Sequence, residues 1–220
     1  MVVFHAVFDL RVFFGFNQIS YHEGFWYYEG RVAAIIFIVL VGIVSSLISR
    51  WSDGNSALQK NVYRGLRLIA LGLSVTLFTY IFSPENTVWF GILHFLGLAT
   101  LITIPFCRYK WLNIVFAVIL FAAYSSVKSF YTTSYLGIIF GVLPNNFTSF
   151  DHYALIPWLG YVLIGIALGN WLYPKNLPLI KREPTAPERW LLSIGKRSLW
   201  IYFIHQPVLL MVMWLYFRFL

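Results

Sequence analysis

The sequence predicts an all-α fold, a polytopic membrane helix bundle of about seven transmembrane helices with the N-terminus cytoplasmic and the C-terminus outside. Three observations carry that expectation. The residues are 60% hydrophobic and only 11% charged, where ordinary soluble domains carry roughly 25% charged residues. Six charge-free runs are each long enough to cross a hydrocarbon layer, which takes about 17 to 25 mostly apolar residues per helix. The Lys and Arg residues alternate in density from one predicted loop to the next.

In chain order the runs are Val32–Ser49, Leu68–Pro84, Asn86–Cys107, Trp111–Val127, Tyr153–Pro174 and Ser198–Phe217. A seventh segment, Met1–Phe16, is apolar apart from His5, Asp9 and Arg11, so it is either a functional helix or no spanning helix. It lacks the positive start and unbroken apolar centre of a cleavable signal peptide. Arg50, Lys60, Arg64 and Arg67 fall in one loop, Arg108 and Lys110 in a second, and Lys175, Lys181, Arg182, Arg189, Lys196 and Arg197 in a third. These loops hold 12 of the 16 basic residues and leave Arg11, Arg31, Lys128 and Arg218 on the other side. Because cytoplasmic loops are enriched in Lys and Arg, the richer face is assigned to the cytoplasm. Topology then accounts for most of the net charge of +8, and nucleic acid is not needed as a partner.

No loop is long enough to fold alone, so residues 1–220 are expected to form a single transmembrane domain. The longest inside loop, Lys175–Arg197, contains Pro178, Pro184 and Pro187 and is expected to be irregular, with a short interfacial helix near Trp190. Outside, Tyr135–Leu143 is apolar but too short to span, and reads as a re-entrant or surface-lying piece. Trp26, Trp51, Trp89, Trp111 and Trp171 lie near predicted helix ends, where interface anchoring explains them. The single cysteine, Cys107, excludes an intramolecular disulfide and any multi-cysteine metal site.

An ionisable group in a bilayer costs at least a few kcal/mol, so each is a functional candidate. His5 and Asp9 are spaced i, i+4, one turn apart on one helix face. A carboxylate there can hold an imidazole in one tautomer and raise its basicity, as a general base requires, although simple packing explains the spacing about equally well. His205 lies about halfway along the final helix, just before Gln206-Pro207. Pro207 cannot donate a backbone hydrogen bond and frees the carbonyl of Phe203, so the helix should break there and turn His205-Gln206 inward. His94 sits near the outer end of its helix, Asp151-His152 opens the next-to-last one, and His22 lies in the first outside loop. No Walker A, Gly-x-Gly-x-x-Gly, His-Glu-x-x-His or Gly-x-Ser-x-Gly pattern is present, and no pair of histidines has ligand spacing on one helix, so no metal is expected.

The pieces Val3–Leu10, Ile38–Ile43, Phe90–His94, Ile156–Gly160 and Ile194–Leu199 running into Ile201–Pro207, taken in order, resemble the compact bacterial members of the family that includes heparan-α-glucosaminide N-acetyltransferase. They cover nearly the whole chain. Family members usually carry an Asp and an Arg-Gly before the first His, and that stretch is missing here, so the start is expected to be truncated. The resemblance implies an acyl-CoA-dependent membrane acyltransferase, integral and multi-pass in the cell membrane, the inner membrane of a bacterium. It would move an acyl group, acetyl in the simplest case, from cytoplasmic acyl-CoA to a sugar amine or hydroxyl on the outer face.

Carried over residue by residue, the resemblance makes His5 with Asp9 the catalytic pair and His22 a secondary catalytic candidate. His94, Trp158, His205 and Gln206 match positions lining the central cavity, where they would bind substrate. The anionic part of the donor would meet Arg64, Arg67, Arg108, Lys110 and Arg197 on the inside. Implied partners are the lipid bilayer, acyl-CoA and a sugar or glycan acceptor, with homo-oligomerisation left open. The competing reading is a transporter or channel in which His5, Asp9 and His205 relay protons or hold a substrate, since buried ionisable residues mark such pathways equally well. A third is a structural membrane subunit whose polar groups only join helices.

Overall fold

The computed structural model describes residues 1–16, 18, 23–52, 54–132, 134–173 and 183–219. They form eight α-helices: α1 (Val2–Val12), α2 (Gly24–Trp51), α3 (Gly54–Phe82), α4 (Ile92–Ile102), α5 (Trp111–Lys128), α6 (Leu136–Phe140), α7 (Leu155–Leu172) and α8 (Ala186–Arg218). Short 3-10 turns cover Pro84–Asn86 and Ile104–Phe106, and among the described residues β-structure is limited to one isolated bridge between Tyr131 and Leu143. The fold is therefore all-helical, as the hydropathy pattern predicts.

Five helices, α2, α3, α5, α7 and α8, are long and apolar enough to cross a membrane. The other two expected segments form shorter helices. Within Met1–Phe16 and Asn86–Cys107, α1 and α4 have 11 residues each, about 16 Å at 1.5 Å per residue, against a hydrocarbon layer of about 30 Å. The local causes are legible around α4. Gly91 is extended before it, and Thr103 passes the chain into the 3-10 turn containing Pro105, which cannot continue an α-helix. Apolar all round, α4 buries eight of its residues, among them Phe95 and Leu96 at full burial.

The last helix departs from expectation twice. The segment near Trp190 is not a separate interfacial helix, because α8 runs unbroken for 33 residues from Ala186. A capping box of Thr185 with Glu188 starts it, and Pro187 sits in the first turn, where its missing N–H costs nothing. At Pro207 the helix also continues rather than breaks. The segment Tyr135–Leu143, expected as a re-entrant or surface-lying piece, contains the five-residue α6, ended by Gly141 in the left-handed conformation (φ 96°), which only glycine adopts freely.

The chain divides into two compact units, Met1–Ile35 with Pro178–Leu220, and Ile36–Leu177. In the first, α1 packs on α8, with the rings of Phe14 and Phe16 against Phe217. In the second, α4 is enclosed by α3 and α7, and α5 lies along α7. The part of α2 in this unit meets α7 backbone to backbone. A Cβ built on Gly42 would strike the carbonyl of Val162, and one on Gly165 the carbonyl of Val39. Such contact, available only between small residues, is the usual source of helix adhesion where no hydrophobic drive exists between helices.

Candidate functional site

In the first unit four of the singled-out residues, from opposite ends of the sequence, meet. The i, i+4 spacing puts His5 and Asp9 on the face of α1 that contacts α8. The imidazoles of His5 and His205 lie edge to face with centroids 4.9 Å apart. Gln206 donates from Nε2 to Asp9 Oδ1 at 2.5 Å. Asp9 is fully buried, while His5, His205 and Gln206 are half-buried. His205 Nδ1 donates to the carbonyl of Tyr202 at 2.5 Å, which leaves Nε2 as the nitrogen able to accept a proton. Asp9 thus holds Gln206 rather than forming a hydrogen bond to His5.

Four polar atoms of this quartet have no hydrogen-bond partner among the described residues: His5 Nε2, Asp9 Oδ2, His205 Nε2 and Gln206 Oε1. Buried polar groups are nearly always paired, because leaving one unmade costs about 1–3 kcal/mol. Four such atoms at one helix contact mark a place built to receive polar groups from elsewhere. The set supplies two imidazole nitrogens, a carboxylate oxygen and an amide carbonyl, so it can take a proton and accept hydrogen bonds from an amine or hydroxyl.

In the second unit His94 is buried beside Thr76, with Nε2 3.3 Å from the hydroxyl, and its ring stacks on Phe90. Its Nδ1 has no partner among the described residues. The backbone N–H of Tyr153 donates to the carbonyl of Phe90, and Tyr153 packs on Trp158, so His94 and Trp158 are joined through Phe90 and Tyr153. Asp151 Oδ2 accepts from the N–H of Ile92 at 2.8 Å and so caps α4 from outside the helix. Burial pushes its carboxyl up to about 6, outweighing that hydrogen bond. Burial likewise lowers the His152 imidazole, which donates to the carbonyl of Ile138 at 2.9 Å.

The basic candidates are spread among different settings. Arg64 is half-buried near Cys107 with one guanidinium nitrogen unpaired among the described residues. Lys110 lies over the rings of Trp111 and Trp171, Arg67 is half-buried, and Arg108 is exposed. Arg197 is exposed on α8, in the other unit. His22 lies outside the described residues.

Sequence reasoning missed one buried polar cluster. Arg50 donates to Asn170 Oδ1 at 2.6 Å and to the carbonyl of Tyr173 at 3.0 Å. Asn170 donates in turn to the carbonyls of Cys107 and Tyr109. Asn113 donates to the carbonyls of Phe106 and Tyr109, so two asparagines and an arginine clamp the turn after the second 3-10 segment. The available signal was an amide inside each of two otherwise apolar runs.

The family described as heparan-alpha-glucosaminide N-acetyltransferase, catalytic, matches the chain over residues 1–207, which takes in every residue of the quartet. No curated protein and no solved structure gives a significant match. A match over nearly all of the 220 residues places this chain in the heparan-alpha-glucosaminide N-acetyltransferase catalytic-domain family.

Proposed function

We propose that this chain is an acyl-CoA-dependent acetyltransferase of the cell membrane, crossing it seven times with its N-terminus cytoplasmic, and that it acylates a sugar amine or hydroxyl on the outer face. The observation that carries the reading is the meeting of His5, Asp9, His205 and Gln206 with four unpaired polar atoms between them. Family membership supplies the reaction class.

In this mechanism His5 Nε2 takes the proton of the acceptor amine or hydroxyl as the nitrogen or oxygen attacks the thioester carbonyl. The new C–N or C–O bond forms, the C–S bond breaks, and coenzyme A leaves as a thiolate that is then protonated. Asp9 Oδ2 accepts a hydrogen bond from the acceptor and orients it, while Gln206 fixes the other carboxyl oxygen. His205 beside His5 passes the proton on. Arg64, Arg67, Arg108, Lys110 and Arg197 are the residues to which donor phosphates are assigned, and His94 and Trp158 are assigned to substrate binding. The chemistry needs no metal.

The test is acetyl-CoA cleavage by the purified protein with and without a panel of amino sugars and glycans. Acceptor-dependent release of free thiol is expected. His5→Ala, shown to be folded, should lower turnover about 100-fold or more with donor binding intact, the usual scale for a lost general base. Near-normal turnover in His5→Ala would remove His5 as the base. The His5–His205 contact also fits a proton relay, and proton flux across reconstituted vesicles without donor consumption would favour the transporter reading instead.

A further inference from the structure

His94, near the start of α4, is buried, and its ring is fixed in plane by two neighbours. The backbone of Gly72 on α3 presses against the imidazole. A Cβ built there would fall 2.9 to 3.0 Å from Cγ, Nδ1 and Cδ2 alike, so it would stand over the ring face rather than at its edge. Phe90 stacks on the same imidazole, with centroids 6.0 Å apart and planes 29° from parallel. These contacts leave the ring edge, with its two nitrogens, to make hydrogen bonds.

Thr76, one turn along α3 from Gly72, decides what that edge offers. A threonine hydroxyl has one hydrogen to give. The carbonyl of Val88 takes it at 2.5 Å, against 3.4 Å to the carbonyl of Gly72. Val88 is itself buried and donates its N–H to Thr79 Oγ1 at 3.1 Å, so two threonines spaced i, i+3 on α3 hold both polar groups of that residue. With its hydrogen spent, Thr76 Oγ1 can only accept from the imidazole Nε2, 3.3 Å away. No carboxylate is among these contacts, and a buried imidazolium without one would be costly, so the ring is neutral. Its single hydrogen is then on Nε2, and Nδ1, which has no partner among the described residues, carries the lone pair.

We propose that Thr76 is a positioning residue. By accepting from Nε2 it holds His94 in one tautomer and makes Nδ1 the atom that receives a hydrogen bond from a hydroxyl, amine or amide N–H of a bound substrate. The tautomer stands on the geometry of α3 and α4; its use rests on the acyltransferase reading, which assigns His94 to substrate binding.

The test is nitrogen NMR of the full chain in nanodiscs, isotope-labelled at histidine, with the His94 signals assigned by their loss in His94→Gln. Nitrogens with and without a bound hydrogen resonate far apart, so the tautomer is read directly. Wild-type His94 should show hydrogen on Nε2 alone. Thr76→Val should give a mixture of tautomers and Thr76→Ser should restore the single one. Thr79→Val, which frees the Val88 N–H without removing a partner of His94, should leave the tautomer unchanged. Methyl glucosaminide and acetyl-CoA are then added separately. One of them should move the Nδ1 resonance and leave Nε2 in place, and should bind Thr76→Val about tenfold more weakly, or about 1.4 kcal/mol.

Hydrogen on Nδ1 in the wild type would overturn the proposal, and that spectrum decides even if Thr76→Val fails to fold. So would a single tautomer in folded Thr76→Val, the same mixture in Thr79→Val, or an Nδ1 resonance unmoved by both compounds. Movement of Nδ1 without acyl transfer between the two would sink the acyltransferase reading and leave Thr76 in its role. Acyl transfer with Nδ1 unmoved would do the reverse.

Discussion

Replacing Gln206 with Ala removes the donor that sits 2.5 Å from Asp9 Oδ1. Asp9 is fully buried and its Oδ2 has no partner among the described residues, so the variant leaves both oxygens without a donor. A hydrogen bond to a charged group is worth about 1.5–3 kcal/mol, and a buried acceptor left unmade costs a similar amount. Side-chain hydrogen bonds between membrane helices average only about 0.6 kcal/mol and reach about 1.7. Complete enclosure of this carboxyl puts it at the upper end, so Gln206→Ala should cost about 2 kcal/mol. In an Asp9→Leu background, where there is no carboxyl to strand, it should cost under about 0.5 kcal/mol, giving a coupling near 1.5 kcal/mol. The assay is denaturant unfolding in mixed micelles for the two single variants and the double. A coupling below about 0.5 kcal/mol would refute the idea that Gln206 secures Asp9.

Gly165→Leu should drive a side chain into the carbonyl of Val39 on α2 and cost at least about 3 kcal/mol; normal yield and unfolding midpoint would contradict the backbone contact. Asp151 gives a pH dependence whose sign is the reverse of the usual carboxylate. With its carboxyl pushed up from 3.8 to about 6, the folded protein holds a proton that the unfolded chain has released. Its contribution to stability is therefore greatest below about pH 4 and is lost as the pH rises to about 6. Asp151→Asn, which keeps an acceptor for the Ile92 N–H, should flatten that limb, and thermal midpoints from pH 4 to 7 that fall alike in both proteins would refute this. Coenzyme A should raise the midpoint of the wild type by mass action, and less so in Arg64→Ala; no shift at millimolar acyl-CoA would count against the donor assignment.

Much of the helical content was legible because a bilayer makes charge-free length a direct read-out of a span. The runs containing α2, α3, α5, α7 and the apolar part of α8 carry no breaker strong enough to stop them. Breakers at the margins were harder to weigh. Pro105 truncates α4, whereas Pro207 leaves α8 continuous, since one lost donor inside a long helix is tolerated while proline after a turn at Thr103 is not. Pairing at the site was half legible. Spacing placed His5 and Asp9 on one face, but the Asp9–Gln206 contact joins residues 197 apart in sequence, and no local pattern encodes such a partner. Arg50 shows the opposite failure. Read as one more topology charge, it is the hub that holds Asn170 and the carbonyl of Tyr173.

The contacts of α1 with α8 also fix a parity. His5 meets His205 and, further along both helices, Phe14 meets Phe217, so the first and last helices point the same way. In the topology proposed above, two parallel helices require an odd number of passes between them, and the proposed seven-pass count, which includes α4, meets that condition where a count limited to the four long helices α2, α3, α5 and α7 does not.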